Sequence, residues 1–287
     1  MRLTAAVAQS GALETKTPLI VNESGDKQAS LSLREIWTHR ELLYFLTWRD
    51  IKVRYKQTAM GAAWAIIQPV FMMLTFAVFF GLLIGIRTDG IPFLLFFYCG
   101  IMPWTFFSAA INVGMGSLIG SSGLITKVYF PRIIVPAAAV GALLIDLVIT
   151  LVILIGLGFY YGIHLGWNLA MFPVLILMTL GLSFEFGIWL SALTVKYRDI
   201  RHALPFVLQL WMFWTPIVYP LSIVPGKWRW LMYINPLTGI IEGFRAVFTG
   251  RAFNWTALAV TAVALVVMLF CSLQTFRRTE KSFADLI

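Results

Sequence analysis

The sequence predicts an all-α membrane protein with six transmembrane helices, on three observations. Of its 287 residues, 60% are apolar and only 12% charged, against about 45–50% and about 25% in an ordinary soluble domain. Too few polar side chains remain to coat a soluble core. The apolar residues gather into runs near the roughly 20 residues that a helix needs to cross the hydrocarbon. The cations fall mostly between those runs, so the net charge of +9 reads as loops facing an anionic leaflet rather than as a surface for nucleic acid.

Residues 1–32 are polar, with Arg2, Glu14, Lys16, Glu23, Asp26 and Lys27 around a short Ala-rich patch. That patch is too short for the apolar core of a signal peptide, so a cytoplasmic tail is expected. Residues 33–57 are expected to form an amphipathic interfacial helix. At helical periodicity Leu33, Trp37, Tyr44, Trp48, Ile51 and Tyr55 fall on one narrow stripe, with Arg49, Lys52 and Lys56 beside it. Trp and Tyr next to cations suit the headgroup layer, and Arg54 adds a further charge for anionic lipid. The run Leu42–Leu46 is apolar on nearly all sides, so part of this helix is expected to pack on protein.

Residues 58–276 make the transmembrane domain, with spans expected at about 62–86, 93–119, 133–160, 169–194, 203–219 and 256–276. Arg87 and Asp89 close the first span. Lys196, Arg198, Asp199 and Arg201 follow the fourth, and Arg277 and Arg278 the sixth. The spaced glycine pairs Gly81/Gly85 and Gly116/Gly120 are expected to let helices approach closely. With the N-terminus inside, the inner segments hold 17 of the 22 Lys and Arg residues and the outer segments five. Both termini are therefore expected in the cytoplasm, with 277–287 as a second tail. Between spans five and six, residues 220–252 are too apolar for a solvated loop. Pro225-Gly226 and Asn235-Pro236 cut them into pieces too short to cross. Irregular backbone at membrane depth survives only inside protein or beside water, so two short re-entrant helices are expected.

The chain has no GxxxxGK[ST] loop and hence no usual cradle for nucleotide phosphates. No enzymatic site and no cofactor of its own are expected. Cys99 and Cys271 lie within apolar runs and His39, His164 and His202 stand apart, so no metal site is expected either. Two carboxylates interrupt apolar spans, Asp146 in the third and Glu185 in the fourth. Charge at that depth is costly. Each is either a proton relay or substrate contact, or a structural group hydrogen-bonded to a neighbouring helix; no cation at their depth is visible in the sequence. Trp64 and Phe71 on the first span, and Trp211, Phe213, Trp214 and Tyr219 on the fifth, read in two ways. They pack against protein or lipid, or their flat faces stack on sugars.

Four blocks in order, RDIKVRYKQTAMGAAWAIIQPVFMM, YFPRIIVP, VKYRDIRHALPFVLQLWMFWTPIVYP and INPLTGIIEGFR, resemble ABC-2-type permeases. They are most similar to the branch that exports O-antigen, capsular polysaccharide and teichoic acid, over roughly residues 35–276. The resemblance implies a permease subunit of the bacterial inner membrane that forms a homodimer. It also implies two copies of a separate ATPase, which carry the ATP and Mg2+, and a lipid-linked glycan as cargo. Residues 121–132 map onto the coupling loop, with Leu124, Ile125, Lys127, Val128, Tyr129 and Arg132 meeting the ATPase. The aromatic residues of spans one and five map onto the glycan path. An ABC-2 exporter of a drug or small amphiphile shares this fold. An ion-coupled secondary carrier working through Asp146 and Glu185 is the alternative of another class, and a membrane glycosyltransferase finds no DxD motif in support.

Overall fold

The computed structural model describes residues 37–56, 63–128, 130–162 and 166–280, and among these every regular element is helical. The expected tail 1–32, residues 281–287 and Tyr129 lie outside the described residues. The first helix, α1 (Arg40–Lys56), is followed by α2 (Ala63–Phe76), which widens into a π-helix over Ala77–Leu83. Then come α3 (Phe93–Gly120), the single turn α4 (Ser122–Ile125), and α5 (Ile134–Gly141) running on into α6 (Leu144–Tyr160). After them α7 (Phe172–Lys196) has a 3-10 lead-in at Trp167–Met171. With α11 (Trp255–Glu280), these supply five stretches long and apolar enough to cross a membrane.

The fifth expected span is shorter than its hydropathy suggested. Helix α8 covers Ile200–Trp214, 15 residues or about 22 Å, where the hydrocarbon is about 30 Å thick. It stops because Pro216 disfavours helical backbone at the residue before it, and Thr215 is accordingly extended at φ −83°, ψ 134°. Beyond it α9 (Gly226–Ile234) and α10 (Pro236–Thr249) have 9 and 14 residues, each too short to cross. The break between them is built by sequence. Asn235 accepts the Leu237 N–H at 3.1 Å, Pro236 takes the first helical position, and Gly250 ends α10 in the left-handed region at φ 67°.

Helix α3 is the axis of the bundle. Of its most apolar stretch, 78% is buried, against 22% for the stretches of α2, α7 and α11. It packs on α7, α5, α6, α10 and α2. Its tightest crossing is with α7: a Cβ added at Gly114 would lie 2.7 Å from the Gly187 Cα, so the two backbones touch. The glycine pairs expected to do this do not. Gly116, Gly120 and Gly85 have no neighbour within 4 Å, and Gly81 meets only the Phe93 ring at 3.1 Å. Glycine spacing along one helix does not say which face meets a partner; Gly114 is paired through Gly187, on a different helix.

A second apolar cluster closes the end of the bundle that carries α4. Leu46 of α1 packs there with Leu118, Ile125, Ile134, Val195 and Phe276. The packed face of α1 carries Leu42, Leu43 and Leu46, as the apolar run predicts. Trp37, Tyr44 and Trp48 are exposed on its other side, where Lys52 sits 5.4 Å over the Trp48 ring. Tyr55 departs from that stripe and turns inward.

The Gly114 contact sets an expectation. Gly114→Ala should cost about 1–3 kcal/mol through overpacking, read as a fall in the detergent thermal midpoint. Gly116→Ala, with open space around it, should not lower that midpoint.

Candidate functional site

Asp146 stands in the first turn of α6, just past the joint with α5 at Ala142-Leu143. From far earlier in the chain, the end of α1 brings two donors to it. Arg54 Nη2 lies 2.9 Å from Asp146 Oδ2, and the Tyr55 hydroxyl donates to Oδ1. The cation missing from the sequence reading is therefore Arg54, supplied by the interfacial helix and not by a span. With side chains 39% and 20% exposed, the pair is open to water and contributes on the order of 1 kcal/mol. Burial first, and the hydrogen bond to Asp146 second, hold the Tyr55 phenol above its usual range, so it remains a donor at neutral pH.

Beside this cluster lies a cavity of about 390 Å³ between α1, α2, α3 and α6. Trp64 and Gln68 of α2 face it, as do Thr105, Ser108 and Asn112 of α3. The last three repeat at helical spacing and so share one face. The sequence reading passed over them, although T-x-x-S-x-x-x-N inside an apolar run is a legible polar stripe. Each turns its donor back on its own helix: Thr105 to the Met102 carbonyl at 3.0 Å, Ser108 to Thr105 at 3.2 Å, and Asn112 to Ser108 at 2.8 Å.

The other expected residues are spread over the molecule. Glu185 is buried in α7, and its Oε2 has no partner among the described residues; it does not line the Asp146 cavity. Trp64, Phe71 and Phe213 are exposed. Trp211 is held from several sides: its ring meets Phe107 at 5.2 Å and Phe186 at 5.4 Å, and its Nε1 donates to Asn235 Oδ1 at 3.1 Å. Tyr219 donates to the Phe213 and Trp214 carbonyls at 3.1 and 3.2 Å, while the Trp214 indole nitrogen is buried without a partner among the described residues.

At the α4 end, Ile125 is buried and Leu124 packs against the same cluster, whereas Lys127 and Val128 are exposed. Arg132 Nη1 donates to the Glu280 carbonyl at 2.6 Å, tying this loop to the end of α11. A further buried charge had escaped notice. Arg245 in α10 is 3% exposed; it pairs with Glu242 at 2.7 Å, donates to the Ile217 carbonyl at 2.9 Å and covers the Phe96 ring at 3.6 Å. The E-x-x-R spacing in INPLTGIIEGFR, one helical turn, was its signal.

A double-mutant cycle tests the Arg54–Asp146 pair. Arg54→Ala and Asp146→Ala should show a coupling of about 1 kcal/mol in thermal unfolding, weakening with salt. Strictly additive losses would mean the pair contributes nothing.

Comparison with known proteins places this arrangement. Residues 41–249 match the ABC-2 type transporter family. The O-antigen export system permease protein RfbA of Myxococcus xanthus is 31% identical over 258 residues, covering 89% of this chain and 98% of that protein. Its namesake in Klebsiella pneumoniae is 26% identical, over 86% of this chain and 95% of its own length. The polysialic acid transport protein KpsM of Escherichia coli is 26% identical over 82% and 92% respectively. Matched from α1 through α10, and nearly end to end by these transport proteins, the chain belongs to the ABC-2 type transporter family.

Proposed function

We propose that this chain is the membrane permease subunit of an ABC exporter that moves a lipid-linked polysaccharide, O-antigen foremost, across the bacterial inner membrane. The observation that carries this reading is the similarity spanning 98% of an O-antigen export permease. The polysialic acid transport protein supports the wider class of polysaccharides. A drug exporter would share the fold, but none of the relatives described above is named for one.

In this reading two copies of the chain form the pathway, and two copies of a separate ATPase bind ATP and Mg2+ from the cytoplasm, where both termini lie. Helix α8 with the turns at 215–219 makes the fifth of six crossings, and α9 and α10 re-enter from the outer side. The exposed pair Lys127 and Val128 enters a groove on the ATPase. Tyr129 and Arg132 belong to the same loop. Leu124 and Ile125 face the other way, into the cluster that also holds Leu46 of α1 and Phe276 of α11. Force applied by the ATPase at the loop is thereby carried to both helices, because a close-packed cluster transmits displacement rather than absorbing it.

Helix α1 keeps Arg49, Lys52, Arg54 and Lys56 along the membrane surface, beside the exposed Trp48, and its cations attract anionic headgroups. Trp64, Phe71 and Phe213 offer exposed rings to the passing glycan; Trp211, Trp214 and Tyr219 form the wall behind them. The ion-coupled alternative is weakened by the contacts of Asp146 with Arg54 and Tyr55, which give this carboxylate a structural role in holding the end of α1 to α6.

Val128→Asp tests the coupling surface. Because Val128 is exposed, the permease should keep its thermal midpoint, while co-purification of the ATPase subunit and ATP-dependent glycan export should fall at least severalfold. Export that continues without ATP hydrolysis would overturn the reading.

A further inference from the structure

The cavity beside Asp146 is polar where a span should be apolar. Gln68 and Asn112 are exposed within α2 and α3, which, α2 together with its π-helical continuation, are long and apolar enough to cross a membrane. Amide side chains facing hydrocarbon have no hydrogen-bond partners and are costly there, so such groups face water or a bound polar molecule. Gln68 has no hydrogen-bond partner among the described residues, which leaves its whole amide available. At about 390 Å³ the cavity falls in the range of about 300–1,000 Å³ typical of small-molecule sites.

The chemistry of the lining selects the class of ligand. Its two charges, Arg54 and Asp146, are paired at 2.9 Å and cancel. Thr105, Ser108 and Asn112 have spent donors on their own helix, so what they present to the cavity is chiefly oxygen lone pairs. Asp146 adds the remaining lone pairs of its two oxygens. A phosphate, which brings only acceptors, could use the Gln68 amide but would meet an arginine already paired and the like charge of Asp146 beside it. A sugar brings a ring of hydroxyl donors, and the exposed face of Trp64 supplies the flat apolar surface against which a sugar ring rests.

We infer that this cavity binds an uncharged sugar unit of the transported glycan, with Gln68, Ser108, Asn112 and Asp146 taking its hydroxyls and Trp64 its apolar face. Arg54 and Tyr55 act as positioning residues that hold the Asp146 carboxylate toward the cavity. The inference rests on the polysaccharide reading and gives that reading a site in each protomer.

The experiment compares prenyl diphosphates in binding to the purified permease–ATPase complex in lipid nanodiscs. One probe is farnesyl diphosphate; the others carry a single glucose, galactose or N-acetylglucosamine. At least one sugar-bearing probe should bind about tenfold tighter than the bare diphosphate, the worth of one or two net hydrogen bonds. Gln68→Ala and Asn112→Ala, made separately, should each bring that ratio close to one, and Asn112→Gln should restore part of it. Because a ratio is read, general loss of folded protein cannot imitate the result. If no sugar improves binding to the wild type, or either variant keeps the full ratio, the inference fails. If the variants weaken all probes alike, the site reads the diphosphate and the inference fails as well. Failure of the underlying permease reading is seen separately, as a chain that does not associate with an ATPase subunit.

Discussion

The contact of Gly114 with Gly187 is the constraint on which the bundle depends. Between helices in hydrocarbon there is no water to expel, so close packing has to supply the attraction. A side chain at either position would hold α3 and α7 apart, since the added Cβ would fall at 2.7 Å from backbone. With the two backbones in contact, Ala110 and Val140 close around Gly187, and α5 is drawn into the same crossing. Helix α3 is then covered on nearly every side. The stretch left less covered runs through Thr105, Ser108 and Asn112, which is also its polar stripe. Burial and polarity are thus divided by face along a single helix.

The same economy governs charge. Arg54 meets Asp146, Arg245 meets Glu242, and Arg251 meets Asp89, which also accepts from Ser222 at 2.9 Å. Each of these acids lies beside a cation supplied by another segment or by the next helical turn. Of these cations only Arg245 is buried, and leaving it unpaired would cost several kcal/mol; the other two pairs are more open to water and contribute less. Glu185, with one oxygen unpartnered among the described residues, stands apart from this pattern, on the most heavily used packing partner of α3.

Much of this was legible beforehand, and the misses have identifiable causes. Hydropathy located five spans because membrane insertion reads length and apolarity, which are local properties. Pro225-Gly226 and Asn235-Pro236 marked the ends of α9 and α10 because a proline's effect on backbone is local too. Thr215-Pro216 obeys the same rule, and giving it equal weight would have ended α8 at Trp214. The contact of Tyr55 with Asp146 was beyond reach, as nothing in sequence joins residues 91 positions apart, and the Arg54–Asp146 pair was hidden for the same reason. The glycine error has that cause as well: a spacing within one helix is local, but its meaning depends on what the other helix presents. For Trp211 the sequence left packing and sugar stacking both open, because its anchors, Phe107, Phe186 and Asn235, come from three other segments.

A neutral, hydroxyl-matching site also fits what a polymer exporter needs physically. Conduction requires binding favourable enough for entry and weak enough for release. A long chain gripped through fixed charges at each repeat would be held by many strong contacts at once and would stall. Hydrogen bonds exchanged with water contribute only about 0.5–1.5 kcal/mol each, and a ring resting on Trp64 slides without breaking a charge pair. In the proposed site, keeping Arg54 bound to Asp146 would do two things: leave neither charge unpaired and spare the glycan a charged trap. The strong cations stay on the surface of α1, where Arg49, Lys52 and Lys56 are exposed and can hold a headgroup without gripping the chain behind it.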